Sequence, residues 1–346
     1  MMQPIAAAKT EKLWQYLQGG RHIVITTHAR PDGDAVGSAT AMLSFLTDAM
    51  GKDAALVFPT EAPENLQFII PSHLKEKVGV GPATGEAALD GCDLLICLDF
   101  NCFSRTEALQ NLFTSARAAK ILIDHHVGPD EAAFDLVFSE TAVSSASELL
   151  FHILKTLPPC GGDASRLPAG CAAALMAGMT TDTNNFGNSV YPSTFAMASD
   201  LLAAGVDRER ILDEIYHTCP ETRIRLMGHV FGDLLTITPE GAAYIVLRKA
   251  DLERFNVREG DTEGFVNIPL TIRNVRLSAF IKEDDGFFRV SLRSRRDVSA
   301  RQLALKYFHG GGHEQAAGGK ILLPDDIPSG EALVPWLDHI LKTYLS

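Results

Sequence analysis

Along the first half of the chain, short aliphatic runs alternate with longer stretches of helical character. Residues 22–27 (HIVITT), 54–58 (AALVF), 94–98 (LLICL) and 120–123 (KILI) read as buried strands. Helices are predicted at 35–50, 144–157 and 168–179, with 158–168 as a loop. This alternation predicts an α/β domain whose mostly parallel sheet is flanked by helices. Residues 191–218 are helical in character, with a break at Gly205. From about residue 226 the pattern changes. Runs at 243–247, 277–282 and 287–293 alternate or stay apolar, with a hairpin-like turn at 283–286. A glycine-rich loop, Gly310 to Gly312, precedes a strand at 320–323. The expected organisation is a domain at 1–190, a helical linker at 191–225 and a smaller mixed α+β domain at 226–346.

Composition agrees with two folded domains. The chain has 346 residues, of which 46% are hydrophobic and 21% charged, close to ordinary globular usage. Six cysteines form no C-x-x-C pair, so they read as free thiols in a reducing compartment. Residues 1–20 lack a signal-peptide apolar core, and no run reaches membrane-spanning length. A cytoplasmic protein with no membrane association is expected. The formal net charge of −12 argues against a grip on long nucleic acid, which draws on a basic surface. It remains compatible with a phosphate substrate if bound cations neutralise some carboxylates.

Candidate chemistry lies at element ends. His28 follows the first strand, and Asp32, Gly33 and Asp34 come soon after. Asp99 follows the 94–98 run. Asp124, His125 and His126 follow 120–123, and Asp182 follows the 168–179 helix. Ligands of open α/β sheets bind beyond the carboxyl ends of strands, so three strands deliver Asp and His to one edge. Carboxylates that dense repel one another unless a cation neutralises them. Mixed carboxylate and imidazole donors suit Mn²⁺, with Mg²⁺, Co²⁺ or Fe²⁺ as relatives. Two such ions about 3.5–4 Å apart clamp a phosphoryl group and activate a bridging water. Each residue also has a plainer reading. Asp32-Gly33-Asp34 suits a turn, Asp99 an N-cap, Asp182 a turn cap, and the histidines hydrogen-bonded partners of Asp124. Convergence favours the site.

The segment from His28 to Ser38 (HARPDGDAVGS) resembles the first motif of the DHH phosphoesterases. Asp99 resembles their second motif, Asp124-His125-His126 their third, and Gly178 to Thr183 (GMTTDT) their fourth. Gly310 to Gly318 (GGGHEQAAG) is similar to the signature of the DHHA1 domain. Among members, the compact two-domain length is most similar to the nanoRNase group of bifunctional oligoribonucleases and pAp phosphatases.

The resemblance implies two divalent cations, Mn²⁺ first and Mg²⁺ or Co²⁺ as alternatives. Their ligands would be His28, Asp32 and Asp99 for one, and Asp34, Asp99, His125 and Asp182 for the other, with Asp99 bridging. Asp124 would orient a histidine. His126 would touch the phosphate or protonate the leaving oxygen. Asn184 and Asn185 depart from the family, where glycine is frequent after the fourth motif. Gly311, Gly312 and His313 would hold an anion through backbone N–H groups and the imidazole. Arg293 would hold a terminal phosphate, against the plainer reading of a solvated arginine. Arg105 resembles a family position after Asp99 and is taken as substrate-binding. The implied substrates are short RNA oligonucleotides and small nucleotides such as pAp, with homodimer assembly left open. Cyclic or linear dinucleotides (cyclic di-AMP, pApA) are the alternative substrates, and a nucleotide-binding module without turnover is the non-enzymatic one.

Overall fold

Strands that read as near-continuous apolar runs need cover on both faces, and here they receive it. The first sheet contains β1 (Ile23–Thr26), β2 (Ala54–Phe58), β3 (Val78–Val80), β4 (Leu94–Leu98), β5 (Ala119–Asp124) and β6 (Leu136–Ser139). Ile23, Ile25, Leu94, Ile96, Leu98, Ile121 and Ile123 point to one core, beneath the helices Gly33–Ser44, Ala146–Thr156 and Ala169–Asp182. The intervening Val24, Leu95, Cys97 and Leu122 point to a second core with Phe100, Phe103 and Phe113.

Every pairing in this sheet is parallel, in the order β3-β2-β1-β4-β5-β6. The chain first builds outward from β1 through β2 to β3, then returns to add β4 on the other side. Connections leaving the carboxyl ends of β1 and β4 therefore diverge, which opens a crevice at that edge.

The computed structural model describes residues 5–258 and 260–346, and the chain divides into two units, Met1–Thr218 and Cys219–Ser346. The stretch expected as a linker is shared between them. Helices Pro192–Ala203 and Arg208–Tyr216, parted near Gly205 (φ +89°), place Met197, Leu201 and Ile211 in the core of the first unit. Helix Glu221–His229 places Leu226 in the second.

The second unit is a mixed sheet. It comprises β7 (Thr236–Ile237), β8 (Ala242–Leu247), β9 (Leu277–Glu283), β10 (Phe287–Ser294), β11 (Gly311–His313) and β12 (Ala316–Leu322), in the order β11-β12-β10-β9-β8-β7. Only the β8–β9 pairing is parallel. One face packs on helices Ala300–Tyr307 and Leu333–Leu345, and the other on Leu226, Val230 and Phe265.

Several local expectations shift. The helix expected at 35–50 runs Gly33–Ser44 and then widens into a π-helical turn, Phe45–Ala49. It begins early because Asp32 caps it, its Oδ1 accepting from the N–H groups of Asp34 and Ala35 at 3.1 Å each. The glycine loop at 310–312 is in part a strand: β11 pairs with β12 in a tight hairpin. Gly312 has φ +138°, and a Cβ there would lie 2.6 Å from the Ala316 carbonyl oxygen, so glycine is required for closeness as well as conformation. All six cysteines are free. Among the described residues, no helix is long and apolar enough to cross a membrane.

Candidate active site

His28 and Asp99 leave neighbouring strands on either side of the topological switch, and His125 and His126 follow β5 directly. Asp124 is the last residue of β5 and is fully buried. Asp32 and Asp34 arrive from the start of one helix, Asp182 from the end of another. Those two helices cross at Gly37 and Gly178, where a Cβ on Gly37 would lie 2.8 Å from the Gly178 Cα. A larger residue would force the helices apart, and with them Asp34 and Asp182.

Asp99 is central. Its Oδ2 lies 3.5 Å from His28 Nε2, and its Oδ1 lies 3.4 Å from His125 Nε2 and 3.7 Å from His126 Nδ1. Its backbone is left-handed (φ 62°), which turns the chain sharply off β4, and its N–H donates to the Ile123 carbonyl at 3.1 Å. Asp99 thus caps no helix. His125 Nε2 also lies 3.7 Å from Asp182 Oδ2 and 3.9 Å from Asp34 Oδ2, while His28 Nε2 lies 3.9 Å from Asp32 Oδ1. Ligand atoms fall within 4.8 Å of one another in three groups: His28 with Asp32 and Asp99, Asp34 with His125 and Asp182, and Asp99 with His125 and His126.

Asp34 is held from outside this cluster. Its Oδ2 accepts from the Ala146 N–H at 2.6 Å and its Oδ1 from the Ser147 N–H at 2.9 Å, the first amides of the Ala146–Thr156 helix. Asp124 Oδ1 accepts from His126 Nδ1 at 2.8 Å. An ionised carboxylate only accepts, so the hydrogen bond places the proton on Nδ1 and leaves Nε2 as the other ring nitrogen available for chemistry.

Without cations the cluster is electrostatically uneasy. Burial raises Asp34 well above the usual carboxylate range, and Asp99 and Asp182 add to the rise while His125 opposes it. Burial likewise raises Asp182 to about 6, against the pull of His125 and with help from Asp99 and Asp32. Burial would also raise Asp99, but His125 and His28 outweigh it and bring it to about 2. For His125, burial lowers the pKa and the surrounding Asp99, Asp34 and Asp182 more than reverse this, to about 9. Protons and imidazolium thus occupy the role that cations would take. Asp99 Oδ1 and Asp124 Oδ2 are buried with no hydrogen-bond partner. Orphaned carboxylate oxygens amid this donor set fit divalent metal.

Other expected residues lie elsewhere. Arg105 is exposed in the turn Phe103–Leu109, and its carbonyl accepts from the Ala29 N–H at 2.8 Å. In the second unit, both Arg293 of β10 and His313 of β11 are in register with Ala316 of β12. Opposed residues share a face, so Arg293 and His313 stand in one row. Burial lowers the Arg293 pKa. Gly311 and Gly312 continue the same strand.

Asn184, Asn185 and Phe186 are all left-handed (φ 46°, 55° and 65°). Asn184 and Asn185 close the Asp182 helix, their N–H groups donating to the Thr181 and Thr180 carbonyls at 3.0 and 2.8 Å. Sequence reasoning missed Asn101, whose side chain donates to the Val127 carbonyl at 2.9 Å and ties down the loop after His126. It also missed Arg30, Ser104 and Glu107. Together with His28, Ala29, Asp32 and Arg105 these line a cleft of about 470 Å³. Only contacts made in three dimensions reveal them.

The sequence model of the DHH family N-terminal domain matches residues 22–179, and that of the DHHA1 domain matches 241–333. A relative from Streptococcus mutans, named as a probable bifunctional oligoribonuclease and PAP phosphatase NrnA, is 31% identical over 92% of this chain and 95% of its own. The chain belongs to the DHH family. A Bacillus subtilis relative, a bifunctional oligoribonuclease and PAP phosphatase NrnA, is 27% identical over 88% of this chain and 90% of its own. Another from the same organism, the cyclic-di-AMP phosphodiesterase GdpP, is 26% identical over 93% of this chain but 48% of its own. The crystal structure of an exopolyphosphatase-related protein from Bacteroides fragilis superposes with a TM-score of 0.87, at 31% identity, covering 100% of this chain and 98% of that one. The family's namesake triplet is the Asp124-His125-His126 turn described above.

Proposed function

We propose that this DHH protein hydrolyses phosphate esters in short oligoribonucleotides, releasing 5′-mononucleotides, and removes the 3′-phosphate of pAp. The observation that carries this reading is the pair of three-ligand groups, His28–Asp32–Asp99 and Asp34–His125–Asp182, set on either side of the Asp99 carboxylate. Each group would hold one divalent cation, Mn²⁺ in the first instance, with Asp99 shared. Bound there, such cations supply Lewis acidity toward a phosphoryl group and lower the pKa of water.

The protein's own groups do the rest. The Ala146 and Ser147 amides hold Asp34 at a fixed angle, so the site is assembled before substrate arrives. Asp124 fixes the tautomer and direction of His126, whose Nε2, when protonated, donates to the phosphate or to the departing oxygen. We assign nucleotide recognition in the second unit to Arg293, Gly311, Gly312 and His313. The Arg293–His313 row supports this, since it presents a guanidinium and an imidazole on one face. Free cysteines throughout fit a cytoplasmic setting. A negative net charge fits short substrates rather than long strands.

A second reading, hydrolysis of cyclic di-AMP or pApA, is favoured by the likeness to GdpP along nearly the whole of this chain. One competition assay separates the two. Purified protein with Mn²⁺ is given an RNA trimer, pAp, pApA and cyclic di-AMP, and products are resolved by chromatography. Higher kcat/KM for the trimer and pAp supports the first reading. Preference for cyclic di-AMP supports the second, and binding without turnover would sink both.

A further inference from the structure

Beside the His28–Asp32–Asp99 group lies the cleft lined by Arg30, Ser104, Arg105 and Glu107. In a chain of net charge −12, two arginines lining one cleft next to a carboxylate cluster stand out. Among the described residues the Arg30 guanidinium is engaged by Glu107 alone, Nη2 to Oε1 at 2.6 Å, with the two side chains 79% and 43% exposed. Among the described residues, no hydrogen bond or ion pair engages the Arg105 guanidinium. The Arg30–Glu107 pair is also held by an unusual backbone. Arg30 has φ 53°, its N–H donating to Thr60 Oγ1 at 2.6 Å, and Glu107 has φ 48° and ψ −113°. Residues in sparsely populated conformations persist where surrounding structure enforces them, and they gather at ligand sites.

We propose that Arg30 and Arg105 form a subsite for a second, non-scissile phosphate of the substrate, and that Glu107 is a resident carboxylate which that phosphate displaces from Arg30. The proposal rests on the phosphoesterase reading above and deepens it, since it says which phosphates the site distinguishes. Arginine binds phosphate bidentately and more strongly than it binds a solvated carboxylate, whereas an exposed Arg–Glu pair is weakly held in water. Ser104, also exposed at the cleft, offers a hydroxyl donor to the same anion. Glu107 in turn repels any anion too weak to replace it, so the subsite selects a phosphate over a neutral hydroxyl. The 5′-phosphate of pAp and the next phosphodiester of a short RNA both carry the required chemistry.

The test compares pAp with adenosine 3′-phosphate, which lacks the second phosphate, using full-length protein with Mn²⁺. It also measures binding of adenosine 5′-phosphate and adenosine by calorimetry. The ratio of kcat/KM for pAp over adenosine 3′-phosphate should fall roughly fivefold or more in Arg30→Ala and in Arg105→Ala, and rise in Glu107→Gln. Adenosine 5′-phosphate should bind more weakly to both arginine variants and more tightly to Glu107→Gln, while adenosine binds all four proteins alike. Arms with pApA and an RNA trimer distinguish an internal phosphodiester from a terminal phosphate, according to which substrate's kcat/KM the arginine variants lower. An unmoved ratio together with unmoved binding overturns the subsite, and so does a fall in the ratio in Glu107→Gln. If binding behaves as expected but none of the nucleotides is hydrolysed, the subsite stands and the phosphoesterase reading fails.

Discussion

The Asp34 carboxylate accepts a 2.6 Å hydrogen bond from the Ala146 backbone N–H, so a proposed metal ligand is anchored to the start of a helix far along the chain. That anchor fixes Asp34 while burial, and after it Asp99 and Asp182, raise its pKa. Removing cations should therefore weaken the fold as well as the chemistry. With Mn²⁺ at about a hundred times its Kd, the stabilisation is about 2.7 kcal/mol. For a unit of this size that corresponds to roughly 5–10 °C in Tm, lost on chelation. Asp34→Asn should shrink the Mn²⁺-dependent shift by more than half, as read by thermal melting with and without chelator. An equal shift in the variant would remove Asp34 from the ligand set.

Metal loading should depend on pH in a definite direction. In the cation-free protein His125 is held at about 9 and Asp182 at about 6. A cation requires neutral imidazole and ionised carboxylate, so between pH 6 and 9 binding releases the His125 proton. Affinity then rises at least tenfold per pH unit across that window, because Asp34, which burial also raises, must be ionised too, and it rises more steeply below the window. Calorimetric titration in buffers of different ionisation enthalpy counts the proton. A flat profile from pH 6.5 to 9 would contradict the His125 assignment.

His126 and Asp124 should behave as one unit. His126→Ala is expected to lower kcat about a hundredfold, and Asp124→Asn to lower it by a comparable factor through loss of the Nδ1–H partner. The double variant should be scarcely worse than either single one. Additive losses in a kcat comparison would mean that Asp124 acts otherwise.

Glu148 gives a prediction independent of metal. It is fully buried, and its Oε2 accepts from the Ser144 N–H at 2.9 Å and from Thr194 Oγ1 at 2.6 Å. Burial would raise its pKa, but the hydrogen bonds from Ser144 and Thr194, with the His152 imidazole 3.7 Å away, outweigh this and hold it at about 2. A depressed carboxylate stabilises the fold fully above its unfolded value of 4.5 and loses that contribution as pH falls toward 2. The loss amounts to ~3 kcal/mol over that interval. Denaturant melts of wild type and Glu148→Gln at pH 7 and pH 3 should differ at the first and converge toward the second. Parallel pH dependence in the two proteins would count against the burial of a charge there.

Much of the site was legible because its residues sit where apolar runs stop. His28, Asp99 and the Asp124–His126 turn follow the apolar runs Ile23–Ile25, Leu94–Leu98 and Ile121–Ile123, and a parallel sheet brings such ends together. The helix crossing was less legible: Gly37 and Gly178 read as ordinary helix glycines until a Cβ on Gly37 is seen to collide with the Gly178 backbone. β3 and β6 escaped notice because each is short and lies at an edge of the sheet. The glycine run at 310–312 was taken for a loop since glycine disfavours strands. Here backbone closeness, such as the approach of Gly310 to Gly318, overrides that preference. Arg30 and Glu107 could not be paired from sequence, because 77 positions of unrelated pattern separate them.

The most direct test is anomalous X-ray diffraction from crystals grown or soaked with Mn²⁺. Two peaks about 3.5–4 Å apart are expected, one beside His28 and Asp32, the other beside Asp34, His125 and Asp182, with Asp99 between them. In Asp99→Ala at least one peak should vanish, together with hydrolysis of pAp. A single peak in the wild-type protein, or ions bound away from Asp99, would contradict the shared-carboxylate site.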